Sequence, residues 1–438
     1  MKMRTCGRFS LLLLTVLIIL SGCGNREEGS AGQDGTGVAT DAANLQPVTI
    51  RMFQSSVSIT DEQFNSFFVE PVGKKYPHIT MELVRGSNGK AEQMVAAGEF
   101  PDMIFTGIGS INFYKELGLL VDLNPYIQKA KFNIADFEPR IIEQIKVYAD
   151  KGELFAIPFL DNYSALFYNR DIFDKYGMAY PKDGMTWDEA IALARQISDK
   201  SSAQVASLCP GTFSQFSSVL SLPVVDPKTN KAVLETDKWK MLVDKFTTIH
   251  QIPGNVCRGS AEATDFKAGK IAMAGINGGL VTELEEMAKQ GPIVNWDLAT
   301  YPQFPEAPGL RRRMDVSLLM LSSSSKHPDD VFRVMQAVSA REEHLKRTRL
   351  GRMSTLKDPE LKKDFAVDLT VTKGRNMQAI FKTSASAVPP FTKYNGPANS
   401  ALEQAVKDVL NGADINSALR KANERANQEI AAMIEGGL

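Results

Sequence analysis

The chain has 438 residues, with 50 Lys+Arg against 51 Asp+Glu, 43% hydrophobic residues and four Cys. At about 150 residues per domain, that length implies two or three domains. The near-neutral charge excludes a chain that coats nucleic acid along its whole length, and four Cys exclude a disulfide-stapled miniprotein. Four His (His78, His250, His327 and His344) leave little for a His-rich metal centre.

Lys2, Arg4 and Arg8 precede an apolar run from Leu11 to Leu20, broken only by Thr15. A helix of about ten residues spans ~15 Å, half of the ~30 Å hydrocarbon core, so the run is a secretory signal (residues 1–22) and not a membrane span. Its end, Leu20-Ser21-Gly22-Cys23, resembles the lipobox of bacterial lipoproteins. The resemblance implies that Cys23 receives a diacylglyceryl group, with palmitate-like chains, and becomes the new N-terminus. Two or more such chains anchor a protein stably to a membrane. Residues 24–46 are rich in Gly, Ser, Ala, Asn, Asp and Thr and lack aromatics. They read as a flexible tether behind Cys23, reaching about 25–29 Å. Without the signal the chain keeps 47 bases against 51 acids.

From Pro47 onward, strand and helix patterns alternate. Val48 to Phe53, Ile79 to Leu83 and Asp102 to Phe105 read as strands. Thr60 to Gln63 has capping-box spacing, with Phe64, Phe67 and Phe68 behind it. Lys90 to Ala97 reads as a helix closed by Gly98. This order implies a parallel α/β sheet. Pro139 to Tyr148 is helical, Glu153 to Phe159 and Ser164 to Tyr168 are strands, and Arg170 to Tyr176 is a helix stopped by Gly177. Thr186 to Glu189 forms a second capping box, and Asp226 to Asn230 a hairpin turn. Further on, Pro328 suits a helix N1 position. Ser400 and Glu403 have the spacing of a third capping box, and Leu419 to Ile430 mark a last helix.

The chain lacks the G-x-S-x-G, H-E-x-x-H, P-loop and G-x-G-x-x-G signatures, so no cofactor or metal is expected. Cys209 and Cys257 form either a disulfide, as suits an exported protein, or two buried thiols. The basic clusters Arg311-Arg312-Arg313 and Lys346, Arg347, Arg349, Arg352 read as solvated faces or as a docking surface for an acidic partner. They lack the interleaved aromatics of a nucleic-acid site. In open α/β sheets ligands bind beyond the carboxyl ends of strands. That rule selects Gln54-Ser55-Ser56, Thr106-Gly107 and Asp161-Asn162-Tyr163.

Six stretches in order carry a resemblance. They are Gly98 to Ile104 (GEFPDMI), Tyr114 to Leu123 (YKELGLLVDL), Gly152 to Pro158 (GELFAIP), Leu166 to Phe173 (LFYNRDIF), Thr186 to Glu189 (TWDE) and Phe266 to Met273 (FKAGKIAM). Together they are similar to the family 1 extracellular solute-binding proteins, the substrate-binding subunits of ABC importers, related to maltose- and oligosaccharide-binding proteins. The resemblance implies an α/β fold of two Rossmann-like lobes joined by a hinge with three crossings, of the type II periplasmic-binding-protein kind. By similarity the crossings lie near residues 159–162, 275–279 and 314–318. The first lobe is then 47–158 with 277–315, and the second 159–276 with 316–438. The implied function is extracytoplasmic capture of a saccharide by hinged closure, without catalysis. The partners would be ABC permease subunits, reached by a lipid-anchored monomer. Asn277, Gly278 and Asp315 at the crossings, and Phe213, Phe216 and Tyr394 as stacking aromatics, join the expected site. The pattern departs from many sugar binders at Asn277-Gly278-Gly279, which leads to Leu280 and not to an aromatic. A lipid-anchored glycoside hydrolase and a sensor that presents its ligand to a receptor are the alternatives.

Overall fold

A computed structural model describes residues 46–390 and 392–436. The expected signal, Cys23 and the tether up to residue 45 lie outside them. In chain order the strands are β1 (Val48–Gln54), β2 (Ile79–Arg85), β3 (Met103–Gly107), β4 (Ile157–Asn162), β5 (Ser164–Asn169), β6 (Ala206–Cys209), β7 (Val225–Asp226), β8 (Lys231–Ala232), β9 (Ile271–Asn277), β10 (Trp296–Thr300), β11 (Leu310–Arg311), β12 (Asp315–Leu321) and β13 (Ser384–Ala385). The helices that matter below are α1 (Pro139–Lys146), α2 (Trp187–Lys200), α3 (Asp237–His250), α4 (Gly279–Ala288), α5 (Pro328–Val338), α6 (Arg341–Arg349), α7 (Asn395–Leu410) and α8 (Ile415–Glu435).

The first sheet has the order β2-β1-β3-β12-β4 and the second β10-β5-β9-β6. β1 runs parallel to β2 and β3, while β12 runs antiparallel to β3 and β4. Both faces of each sheet are covered, which is why β3 and most of β12 read as continuous apolar runs. Phe67, Phe68 and α5 cover one face of the first sheet, and Tyr114 with α1 covers the other. On the second sheet, α2, α3 and α7 pack on Leu166 and Met273, and α4 packs on Phe167 and Ala274. Among the described residues no helix is long and apolar enough to cross a membrane.

Local chemistry sets several element ends. The Thr60–Gln63 and Thr186–Glu189 capping boxes both form, each pairing one hydroxyl and one side-chain carbonyl or carboxylate with orphan backbone N–H groups. Thr212–Gln215 adds another that the sequence reading passed over. The Ser400 box does not start its helix. α7 begins at Asn395, because Pro397 falls in the first turn, where a missing N–H costs nothing.

Two segments exchange places relative to the expected division. β10 pairs with β5 in the second sheet, although residues 277–315 were expected in the first lobe. β12 pairs with β3 and β4 in the first sheet, and α5 packs beside it, although residues from 316 were expected in the second. The chain therefore passes between the sheets at Tyr163, between β10 and β12, and after α6, where Phe365 and Leu369 join the second sheet's core. Residues 275–279 are not a crossing, because Leu280, Val281 and Leu284 of α4 pack back on the sheet that β9 belongs to.

Cys209 at the end of β6 is joined to Cys257 by a disulfide across 48 positions. In the chain-entropy picture a loop of that length stabilises by about 4 kcal/mol. Cys209→Ser/Cys257→Ser should therefore lose about 2–4 kcal/mol in chemical unfolding, and reductant should lower the wild-type midpoint but not the variant's.

Candidate functional site

The carboxyl ends of β1 and β3 form one wall. Ser55 Oγ lies 3.1 Å from Thr106 Oγ1 and also pairs with the Tyr114 hydroxyl. Ser55, Thr106 and Tyr114 are all buried, and burial pushes the Tyr114 phenol up. Ser55 and Thr106 thus lock the two loops together, while Ser56 is left exposed. Ser56 has a left-handed backbone (φ 57°) and accepts a 3.2 Å hydrogen bond from Ser110. Gln54 donates to the Val57 carbonyl at 2.8 Å, and its own side-chain oxygen has no partner. Gly107 sits between the buried Thr106 and the turn to Ser110.

At the crossings three expected residues meet. Asp315 lies opposite Asn162 in the β12–β4 register, and Asn277 lies opposite Ser164 in β9–β5. One Asp315 oxygen accepts from Asn162 at 3.4 Å and from Asn277 at 3.0 Å. A single exposed carboxylate thereby ties a strand end of each sheet together. Tyr163, between β4 and β5, lies flat on Gly278, and its backbone oxygen accepts from the Gly278 N–H at 2.8 Å. A Cβ at position 278 would come within 2.0 Å of the Tyr163 ring. Gly278→Ala should therefore destabilise the fold by about 1–3 kcal/mol through overpacking, read as a lowered unfolding midpoint, and Tyr163→Leu in the same chain should recover part of it.

Other expected residues fall elsewhere. Phe213 packs on Trp239 and Phe246, and Phe216 on Trp187, Phe246 and Phe304. Tyr394 is buried in the same core. These three rings fill the space between α2, α3 and α7 and offer no stacking face. Asp161 is buried too and turns away from Asn162, because neighbouring strand side chains alternate. It lies 3.6 Å from Arg311, and burial raises its carboxyl pKa. The run Arg311-Arg312-Arg313 is not a solvated face. Arg311 and Arg312 are 4% exposed each.

Residues 59–343 match the bacterial extracellular solute-binding proteins. The chain belongs to that family. The melibiose/raffinose/stachyose-binding protein MelE of Bacillus subtilis is 27% identical over 260 residues, 56% of this chain and 54% of the relative. The chain thus spans about half the length of that curated relative. Among solved structures, a solute-binding protein from Thermotoga lettingae bound with alpha-D-tagatose superposes with a TM-score of 0.70 at 20% identity, covering 87% of this chain and 99% of the other. A substrate-binding protein from Listeria monocytogenes in complex with cycloalternan gives 0.72 at 18%, covering 88% and 100%. These likenesses show the two-lobed fold of solute-binding proteins.

In this solute-binding protein a buried polar group backs the loop Pro210-Gly211-Thr212, which the sequence reading did not select. Glu262 is 3% exposed, its Oε1 has no hydrogen-bond partner, and the Gly211 N–H helps hold its charged form. Burial pushes its carboxyl up to about 7, opposed by Arg312 and that N–H and reinforced by Asp265. Arg312 donates to the Gly275 carbonyl and stacks over Tyr301, 5.0 Å from the ring centroid. The run of three arginines was the available sequence signal, but nothing in it told which would be buried. The sulfurs of Cys209 and Cys257 lie near Glu262, within 4.8 Å ligand-atom spacing, but they are spent in the disulfide.

Glu262 gives a pH dependence with a definite sign. Its folded pKa lies above its unfolded value, so its contribution is full below about pH 4.5 and is lost as pH rises through about 7. Glu262→Gln keeps an acceptor for Gly211 without the charge. Relative to wild type, it should gain on the order of 3 kcal/mol between pH 5 and 8. Parallel pH–stability curves in urea unfolding would contradict this.

Proposed function

We propose that the protein captures a sugar or oligosaccharide between its lobes and hands it to an ABC permease, from the outer face of a membrane to which Cys23 anchors it. The observation that carries the reading is the Asn162–Asp315–Asn277 constellation. Two amides and a carboxylate from both sheets converge at the crossings, where a hydroxyl-rich ligand finds donors and acceptors together. Ser56, Gly107 and Ser110 extend the polar surface on the first-sheet side. The relatives support the ligand class, since MelE is named for melibiose, raffinose and stachyose and the two structural neighbours hold tagatose and cycloalternan. The buried state of Phe213, Phe216 and Tyr394 shifts the expected recognition from ring stacking toward hydrogen bonding.

A ligand that touches both lobes favours the closed arrangement by its differential affinity. Moving closure from 1:99 to 99:1 takes about 5.5 kcal/mol of such preference. The first crossing is the single residue Tyr163, so there the change is absorbed at few backbone positions.

Calorimetry with raffinose, melibiose and maltotriose tests the reading. At least one should bind with an affinity weakened roughly tenfold or more by Asn277→Ala or Asp315→Ala. Binding by none of them, or release of reducing sugar on incubation, would overturn it, the latter in favour of a hydrolase.

A further inference from the structure

A second polar site lies on the other side of the crossings. β4 is the edge strand of the first sheet, and its outer edge is bridged by Met353, whose carbonyl accepts from the Asp161 N–H at 3.1 Å. The loops Gln54–Ser56 and Thr106–Gly107 lie beyond β12 and β3, on the opposite side of β4. Asn162 faces its partner Asp315, and Asp161 faces the reverse way, opposite Val316. Behind Asp161 is a cavity of about 290 Å³. Its walls come from the start of α1, the segment after α6 and the stretch around β13.

Four of its lining residues carry buried polar atoms without a protein hydrogen-bond partner. These are Asp161 Oδ1, Arg311 Nε and Nη1, Thr348 Oγ1 and Thr383 Oγ1. Asp161 and Arg311 are each 4% exposed and Thr348 is 2% exposed. An orphaned buried polar atom costs about 1–3 kcal/mol, so native proteins seldom gather several in one place. Charges around the cavity cancel, with Glu138, Asp161 and Asp358 against Arg140, Arg311 and Lys362. The lining therefore carries no net charge that would select an ion over a neutral occupant. Hydroxyl groups are the chemistry that suits this lining, since each can donate to Asp161 and accept from Arg311. Met353, Leu361 and Phe365 supply apolar wall for a carbon skeleton.

We propose that this cavity binds a small neutral polyol the size of one sugar ring, independently of the cleft at Asp315. Asp161 accepts one of its hydroxyls, Arg311 donates to another, and Thr348 and Thr383 complete the set.

The test is calorimetry on the full chain with myo-inositol, D-glucose and glycerol as probes. The cleft variant Asn277→Ala/Asp315→Ala should still bind at least one of them. Thr348→Val/Thr383→Val should weaken that probe roughly tenfold or more, and should leave the wild-type response to raffinose, melibiose or maltotriose within about twofold. If the valine pair unfolds, Asp161→Asn, which keeps volume and removes charge, takes its place with the same expectation. Loss of all three probes in the cleft variant, or valine and asparagine variants that bind as wild type does, would overturn the proposal. Neither result bears on the cleft, whose own oligosaccharide titration is read separately.

Discussion

One close approach shapes the place where the two sheets meet. β4 of the first sheet passes to β5 of the second through the single residue Tyr163. A ring as large as tyrosine fits there only because residue 278, at the end of β9, has no Cβ to meet it. That contact brings the ends of β4, β9 and β12 to one place. It therefore sets the spacing at which Asp315 reaches both Asn162 and Asn277.

Buried cations stand beside the crossings. Arg347 is 1% exposed and stands over the Phe159 ring at 4.3 Å, while its guanidinium nitrogens have no hydrogen-bond partner. Burial pulls its pKa down to about 9, with Glu343 opposing. Neighbouring His344 is held neutral by burial and by that same arginine. Arg311 and Arg312 stand just before β12, and Arg347 just before the last crossing. These three buried cations thus sit close to where the chain changes sheet. An aromatic face, a carbonyl and a carboxylate substitute for hydration there, each weaker than water but fixed in place.

Much of the architecture was legible in the residues. Alternation and apolar runs marked β1, β3 and β5, two of the three expected capping boxes formed, and Gly177 ended its helix in the left-handed conformation that glycine adopts freely. The rule that ligands gather beyond strand ends selected Asn162, similarity implied Asn277 and Asp315, and the structure brings the three side chains together. The same reasoning failed at Phe213, Phe216 and Tyr394, because an aromatic beside a Gly- or Pro-rich break looks alike whether it lines a cleft or plugs a core. It failed at Asp161 because a one-residue step along a strand reverses the face.

By itself, the sequence determined the class of the protein: an α/β chain with local caps and turns and six ordered stretches that resemble those of solute-binding proteins. These follow from near-neighbour chemistry, which acts within a few residues. Only the tertiary structure decided that β10 and β12 trade sheets, that three arginines in a row divide between core and surface, and that a carboxylate is pushed to about 7 behind a glycine loop. Those outcomes depend on strand pairing and desolvation between residues far apart in the chain, and no local pattern encodes which partners will meet.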